Sequence, residues 1–178
     1  MMKNFTYHAP QTITAALMLL DQALARSEDT YILAGGTVLV PQIKESLVRP
    51  SLVISLKHLP MLKKITLDEK GLHLGALITP VELIRSPVIL EHYPVLAQAA
   101  ATMAGVQIRN MATIEGNLCS AVPTADLVPS LLAPDAIVQV QGPNGLRPAR
   151  RVADRTRACH KRKLSPLSFG PSRGYAGH

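Results

Sequence analysis

Two glycines and a threonine, Gly35-Gly36-Thr37, lie between two apolar runs of the chain. Glycines at the end of a strand expose consecutive backbone N–H groups, because no Cβ keeps a ligand away, and they tolerate a positive φ. A following helix would add partial positive charge, and the threonine adds a hydroxyl. The loop therefore suits a phosphate or diphosphate. A tight structural turn is the alternative that these three residues alone leave open.

The loop matches neither of two common nucleotide-binding motifs. It lacks the Gly-Lys-Ser/Thr ending of an ATPase P-loop, and its glycines do not have the G-x-G-x-x-G spacing of dinucleotide-binding folds. The three residues therefore indicate an anion site without specifying a nucleotide.

A second stretch of small residues, 112–129, combines a glycine with side-chain donors. Thr113 and Asn117 can reach phosphate or sugar hydroxyls, and Gly116 lets a ligand approach. Asp126 can accept a hydrogen bond from a ribose or ribityl hydroxyl. Each is also an ordinary turn former or helix cap. Two such stretches favour an extended dinucleotide, held at its diphosphate by two short backbone cradles.

The first loop is expected in a βαβ-like unit preceded by a helix. Apolar residues at helical spacing predict that helix over 12–26, with a threonine cap. Residues 30–34 and 51–55 are short apolar runs typical of buried strands, and a helix is expected over 38–45. This order places the glycine loop between a strand and a helix.

The pattern changes after residue 56. A hairpin is predicted with its turn at residues 68–71. Residues 107–123 are interpreted as a loop, and 135–141 alternate like a strand. Helices are expected over 80–86, 87–104 and 124–133. We therefore expect two lobes, with a boundary near residues 56–60.

The C-terminal residues do not have the pattern of a return strand. After a turn at 142–145, residues 147–178 show neither strand alternation nor a helical face. The strand over 135–141 is therefore expected to lack a partner. Two interpretations stay open: a solvated basic tail, and a shift of the reading frame near residues 147–152.

Charge and composition exclude several classes of function. The 178-residue chain has a net charge of +7, but residues 1–146 carry 10 basic and 11 acidic side chains, against 9 and 1 in residues 147–178. The body is near neutral and has no Trp, so we expect no nucleic-acid partner. No apolar run approaches the roughly 18 residues of a membrane span. Two cysteines without a metal-like cluster favour a cytoplasmic protein that binds no metal.

Ordered motifs over about residues 4–147 resemble one family of flavoproteins. The segments YILAGGTVLVPQIKESLVRPSLVISL and AGVQIRNMATIEGNLCSAVPTADLVPSLLAPDAIV, with FTYHAPQTITAAL and GLHLGALIT, are similar to the FAD-binding subunit of molybdenum hydroxylases. This is the flavoprotein family of xanthine dehydrogenase and carbon monoxide dehydrogenase.

The resemblance implies an α+β, two-lobed FAD-binding fold of the vanillyl-alcohol oxidase and molybdopterin dehydrogenase type. A small βαβ-like N-terminal lobe would cover residues 1–56, and an incomplete antiparallel-sheet lobe would cover 57–147. The basic tail, 148–178, would be disordered or frameshifted. Family members continue beyond residue 147, so the chain is expected to be truncated.

The resemblance also implies which residues contact FAD. They form a first loop at the diphosphate, a flavin cleft, a second phosphate-binding loop and a further stretch near the cofactor. In that order they are Leu33, Ala34, Gly35, Gly36, Thr37, Val38, Leu39 and Val40; Ala104 and Ile108; Thr113, Gly116 and Asn117; and Thr124, Ala125 and Asp126.

The family implies a component of an oxidoreductase. A molybdopterin-binding subunit oxidises the substrate, a [2Fe–2S] subunit carries electrons, and FAD passes them to NAD or another acceptor. FAD would be bound non-covalently. No side chain of this chain need act as an acid or a base, because the cofactor carries the redox chemistry.

One residue departs from the family pattern. Glu115 stands where the family usually has glycine, and a carboxylate near a diphosphate is repulsive by ~1–4 kcal/mol at about 4 Å. The repulsion disappears if the side chain points to solvent. A truncated, non-catalytic fragment with impaired FAD binding is therefore the alternative to an active subunit.

Overall fold

A computed structural model describes residues 4–120, 126–132, 136–142, 145–151 and 169–170. The N-terminal part of the chain is a three-stranded parallel sheet with two helices. Its elements are β1 (Thr6–His8), α1 (Ile13–Ala25), β2 (Thr30–Leu33), α2 (Leu39–Lys44) and β3 (Leu52–Ser55). The fully buried β3 is central, with β1 and β2 on either side. The βαβ prediction is confirmed. The exposed β1 was not predicted, because its three residues have no apolar alternation.

Helix α1 begins where the sequence predicts it. The side chain of Thr12 accepts a hydrogen bond from the N–H of Ala15 at 3.1 Å, which satisfies one of the free donors of the first turn. Ala16, Leu20 and Ala23 share one face and are buried. This face belongs to the hydrophobic core, and α1 packs against β2 and β3, the strands on either side of the glycine loop in the sequence.

A hairpin and six helices follow. A 3-10 turn (Pro60–Lys63) precedes the hairpin of β4 (Ile65–Asp68) and β5 (Gly71–Leu74), which confirms the predicted turn. The helices are α3 (Pro80–Arg85), α4 (Pro87–His92), α5 (Pro94–Thr102), α6 (Val106–Met111), α7 (Ile114–Ser120) and α8 (Leu127–Leu132). Helices α3 and α8 match their predicted positions.

Two predictions for the helical region are wrong. The helix expected over 87–104 is divided into α4 and α5 at Tyr93, whose φ of −138° and ψ of 50° are not helical. The cause is Pro94, which lacks an N–H and disfavours the helical region for the residue before it. The loop expected over 107–123 contains α6 and α7. Small residues are common in loops, but they also allow helices to pack closely.

The third sheet corrects the expectation for the C-terminal residues. Its strands are β6 (Ile137–Gly142), β7 (Gly145–Arg151) and β8 (Phe169–Gly170), in the order β7-β6-β8. The prediction that residues 135–141 lack a partner is therefore wrong, because β6 pairs antiparallel with both neighbours. Backbone pairing does not require the apolar alternation that β7 lacks. The origin of the tail and the division into lobes stay predictions, and most of 148–178 lies outside the described residues.

The core is aliphatic, as the composition requires. Ile54 on β3, Leu83 on α3, Ile89 on α4, Ile114 on α7 and Leu127 on α8 are fully buried in one hydrophobic cluster. Across the described ranges, no helix is long and apolar enough to cross a membrane. The mixed helices and sheets confirm the predicted α+β class.

Candidate functional site

The glycine loop has the conformation that its sequence predicts. Gly36 has a φ of 86°, a value that residues with a side chain rarely adopt. Its carbonyl oxygen accepts a hydrogen bond from the N–H of Val40 at 3.0 Å, which closes the first turn of α2. A Cβ on Gly36 would lie 3.0 Å from Cδ1 of Leu33. The dihedral angle therefore favours glycine at this position, and a Cβ would in addition require the Leu33 side chain to shift slightly.

The N–H groups of residues 35–39 donate no hydrogen bond to any residue in the described part of the chain. Backbone donors normally have a partner in the protein, in water or in a ligand. Consecutive donors in a turn form a concavity that suits an anion. The half-buried Thr37 adds its hydroxyl to this run.

Gly35 brings the glycine loop into contact with the second stretch. Gly35 is buried, and a Cβ built on it would overlap the carbonyl oxygen of Met111 and lie 3.0 Å from Cα of Ala112. No other residue type fits this approach. The loop after β2 and the junction between α6 and α7 are therefore neighbours, although more than seventy residues separate them in the chain.

The second stretch is not the open cradle that the sequence predicts. The N–H of Ile114 donates to the carbonyl of Ile78 at 2.9 Å, and that of Glu115 donates to Ala76 at 3.1 Å. The N–H groups of the next two residues, 116 and 117, donate to the side chain and the carbonyl of Thr113. The expectation of a second backbone cradle is therefore wrong, because α7 and the 76–78 segment already use these donors.

The side chains of the second stretch have structural contacts of their own. Thr113 is buried, and its Oγ1 accepts a hydrogen bond from the N–H of Gly116 at 3.1 Å, which caps α7. Oδ1 of Asn117 accepts one from the N–H of Leu127 at 3.3 Å, which connects α7 to α8. Asp126 is exposed just before α8. Thr124 and Ala125 lie outside the described residues.

Glu115 is buried, with only 5% of its surface exposed. The interpretation in which its side chain points to solvent is therefore wrong. Its carboxyl group therefore lies inside the protein, in the same helix turn that the sequence assigned to phosphate binding.

Exposed apolar side chains flank the contact between the two stretches. Ile108 and Met111 lie three residues apart on one face of α6, and Val38 and Val40 follow the glycine loop. Each of the four has between 38% and 52% of its surface exposed. Ala104 is exposed just before α6. An anion site with apolar flanks suits a ligand that has both a diphosphate and a ring system.

Sequence reasoning missed Arg109 as a residue of this region. Its Nη1 donates to the carbonyl oxygens of Met103, at 2.9 Å, and Ala104, at 2.6 Å. The available signal was an arginine seven residues after the end of α5, within reach of the carbonyls of the two residues that follow that helix.

A family model, the FAD binding domain in molybdopterin dehydrogenase, matches residues 3–166. The nicotinate dehydrogenase FAD-subunit of Eubacterium barkeri is 36% identical over 146 residues, which are 82% of this chain and 49% of that protein. The carbon monoxide dehydrogenase medium chain of Hydrogenophaga pseudoflava is 34% identical over 144 residues, 81% of this chain and 49% of the relative.

Solved structures give the same result for the fold. Carbon monoxide dehydrogenase from Hydrogenophaga pseudoflava superposes with a TM-score of 0.88 at 28% identity, over 98% of this chain and 61% of the other. This chain spans about half the length of the curated relatives it matches. A family match over most of the chain, supported by relatives above 30% identity, shows that the protein belongs to the family of FAD-binding domains in molybdopterin dehydrogenases.

Proposed function

We propose that this chain is the FAD-binding part of a molybdenum-dependent oxidoreductase, in which electrons pass from [2Fe–2S] clusters through FAD to NAD or another acceptor. The observation that carries the proposal is the run of backbone N–H groups over 35–39 without an acceptor in the described chain. Such a run suits the diphosphate of a dinucleotide. Membership of the family selects FAD among dinucleotides.

Different described residues would contact different parts of FAD. The donors of 35–39 would hold the diphosphate, and Ala104 and Ile108 would line the flavin. Asp126 is exposed and available to a ribityl or ribose hydroxyl. FAD, when bound, supplies the electron-carrying ring, and the chain supplies its position and a partly apolar surrounding. Gly116 would act through close packing and Asn117 through its side chain, since the N–H groups of both donate to Thr113. Thr113 would act through its hydroxyl or its N–H.

The partners follow from the same membership. Two relatives are named as an FAD-subunit and a medium chain, names that belong to assemblies of several subunits. We infer that a [2Fe–2S] subunit and a molybdopterin-binding subunit would complete the enzyme. Two cysteines in 178 residues, without a metal-like cluster in the sequence, support a reducing, cytoplasmic location.

The alternative is a non-catalytic fragment with impaired FAD binding. One observation favours it: Glu115 is a buried carboxylate in the second stretch. A negative charge there would weaken the binding of a diphosphate without changing the fold.

Titration of the full chain with FAD, followed by the quenching of flavin fluorescence, tests the proposal. We expect saturable binding. Gly36→Asp should weaken it on the order of a hundredfold, because the new side chain puts charge at the diphosphate and cannot easily adopt the positive φ. Gly142→Ala is the matched control, since a Cβ at that glycine would meet nothing within 4 Å. No FAD binding by the unaltered chain would support the fragment alternative.

A further inference from the structure

The turn between α5 and α6 contains a strained residue. Ala104 has a φ of 38°, in the left-handed region that favours glycine. Met103 before it has a φ of −68° and a ψ of 120°. These angles resemble a type II turn, whose second central residue is normally glycine. A residue without glycine's freedom keeps such a conformation only where its surroundings hold it, and such positions concentrate at functional sites.

Two other positive-φ residues show how backbone hydrogen bonds hold this conformation. Ser27 and Ser46 follow the C-caps of α1 and α2. At each helix end two N–H groups reach back to the last turn, in the pattern of a Schellman motif. After α1, the N–H of Ser27 donates to the carbonyl of Leu24 at 3.1 Å, and that of Glu28 to Ala23 at 2.9 Å. After α2, the N–H of Ser46 donates to the carbonyl of Ile43 at 3.1 Å, and that of Leu47 to Gln42 at 2.9 Å.

At Ala104 a side chain takes the place of those backbone bonds. Among the described residues, no acceptor receives the N–H of Ala104 or of Gly105. Instead the Arg109 guanidinium donates to the carbonyl oxygens of Met103 and Ala104. Both carbonyls precede α6 and Arg109 lies within it, so these bonds tie the turn to the helix that follows. Hydrogen bonds from a charged donor are stronger than neutral ones.

Helix α6 connects this turn to the glycine loop. Its last residue, Met111, lies against Gly35. Of the two positions proposed to line the flavin, Ala104 lies just before α6 and Ile108 lies within it. The position of these two residues relative to the diphosphate donors therefore depends on how the turn is held.

We propose that Arg109 is a positioning residue: it fixes the 103–105 turn so that Ala104 and Ile108 form a preorganised wall for the flavin ring. This inference rests on the proposed function, because the wall has a purpose only if FAD binds. Arg109 acts on the wall through backbone carbonyls and needs no contact with the cofactor. Preorganisation of this kind increases affinity by lowering the ordering cost of binding.

Binding of FAD and ADP to the full chain and its variants tests the assignment. ADP has the diphosphate but no flavin. Arg109→Gln should weaken FAD binding on the order of tenfold and leave ADP binding within about twofold of the unaltered chain. Arg109→Lys keeps a charged donor and should recover part of the loss. Arg85→Gln, at an exposed arginine of α3, is the control and should change neither affinity.

Relief of the strained angle gives a second readout. Ala104→Gly combined with Arg109→Gln should recover part of the FAD affinity, because glycine adopts the turn without help. Ser46→Gly in the same background should recover none of it. Equal losses for FAD and ADP, an unchanged FAD affinity in Arg109→Gln, or equal recovery by both glycine substitutions overturns the assignment while the proposed function stands. No FAD binding by the unaltered chain overturns both.

Discussion

Gly35 is the residue on which contact between the two stretches of the candidate site depends. Gly35→Ala should destabilise the fold by about 1–3 kcal/mol, because its Cβ would overlap the Met111 carbonyl oxygen and the backbone must move. FAD binding should weaken with it. Urea unfolding measures the first effect and FAD titration the second. Gly142→Ala is the control for loss of a glycine without a steric conflict, and equal stability of the two variants would contradict the observed contact.

Glu115 should oppose the binding of a negatively charged ligand. Glu115→Gln removes the charge and keeps the volume, so FAD affinity should rise on the order of tenfold if the carboxylate lies within a few ångströms of the diphosphate. Glu115→Gly should act in the same direction. Isothermal titration calorimetry measures the change. Glu69→Gln, an exposed residue of the hairpin turn, controls for net charge. An unchanged affinity would mean that Glu115 lies away from the cofactor.

For single residues of the candidate site, the sequence predicted the backbone conformation but not the tertiary contacts. The positive φ of Gly36 follows from local pattern alone, because glycine is the residue that allows it. The contact between Gly35 and Met111 could not be predicted, since no local pattern connects residues so far apart. The burial of Glu115 could not be predicted either, because carboxylates are almost always exposed.

Helix α7 depends on the hydroxyl of Thr113. Thr113→Val should lower the free energy of unfolding by about 1 kcal/mol, because the N–H of Gly116 loses the oxygen that caps it. Thr113→Ser keeps that oxygen and should recover most of the loss. Thermal or urea denaturation measures both. A valine variant as stable as the unaltered chain would show that water replaces the cap.

The β4–β5 hairpin should be weaker in acid. A hydrogen bond from His73, and then one from the N–H of Lys70, lower the pKa of Asp68 below its ordinary value. Ionised Asp68 therefore stabilises the hairpin above the ordinary aspartate pKa, and this contribution disappears as the pH falls through the lowered value. The stability difference between the unaltered chain and Asp68→Asn should be present at neutral pH and vanish in acid. A difference independent of pH would contradict this origin.

Among the elements, apolar periodicity was a sound guide where one face is buried and a poor one where residues are small. It predicted α1, whose buried residues share one face, and short apolar runs predicted the half-buried β2 and the fully buried β3. It failed over residues 106–120, where glycine, alanine, threonine and asparagine indicate a loop. The two helices there form because tertiary contacts supply what local propensity lacks, including acceptors on residues 76 and 78 for the first N–H groups of α7.

For the whole molecule, the order of the motifs was more informative than any single one. Neither glycine stretch alone identifies a nucleotide, but together with the hairpin segment they indicated the family that the comparison shows. The family match runs to residue 166, beyond the limit near 147 that the sequence suggested. The partner of β6 was missed for a related reason: strand β7 is basic, and apolar alternation is a signal of burial rather than of pairing.

The strand order β1-β3-β2 has a consequence for biosynthesis. The ribosome releases β3 last of the three, yet β3 is the strand with which both of the others pair. Until residue 55 has left the exit tunnel, β1 and β2 have no template, and the nascent loop that bears Gly35 and Gly36 cannot be anchored. A nascent chain stalled before that point should remain sensitive to protease, and one stalled well beyond it should become resistant.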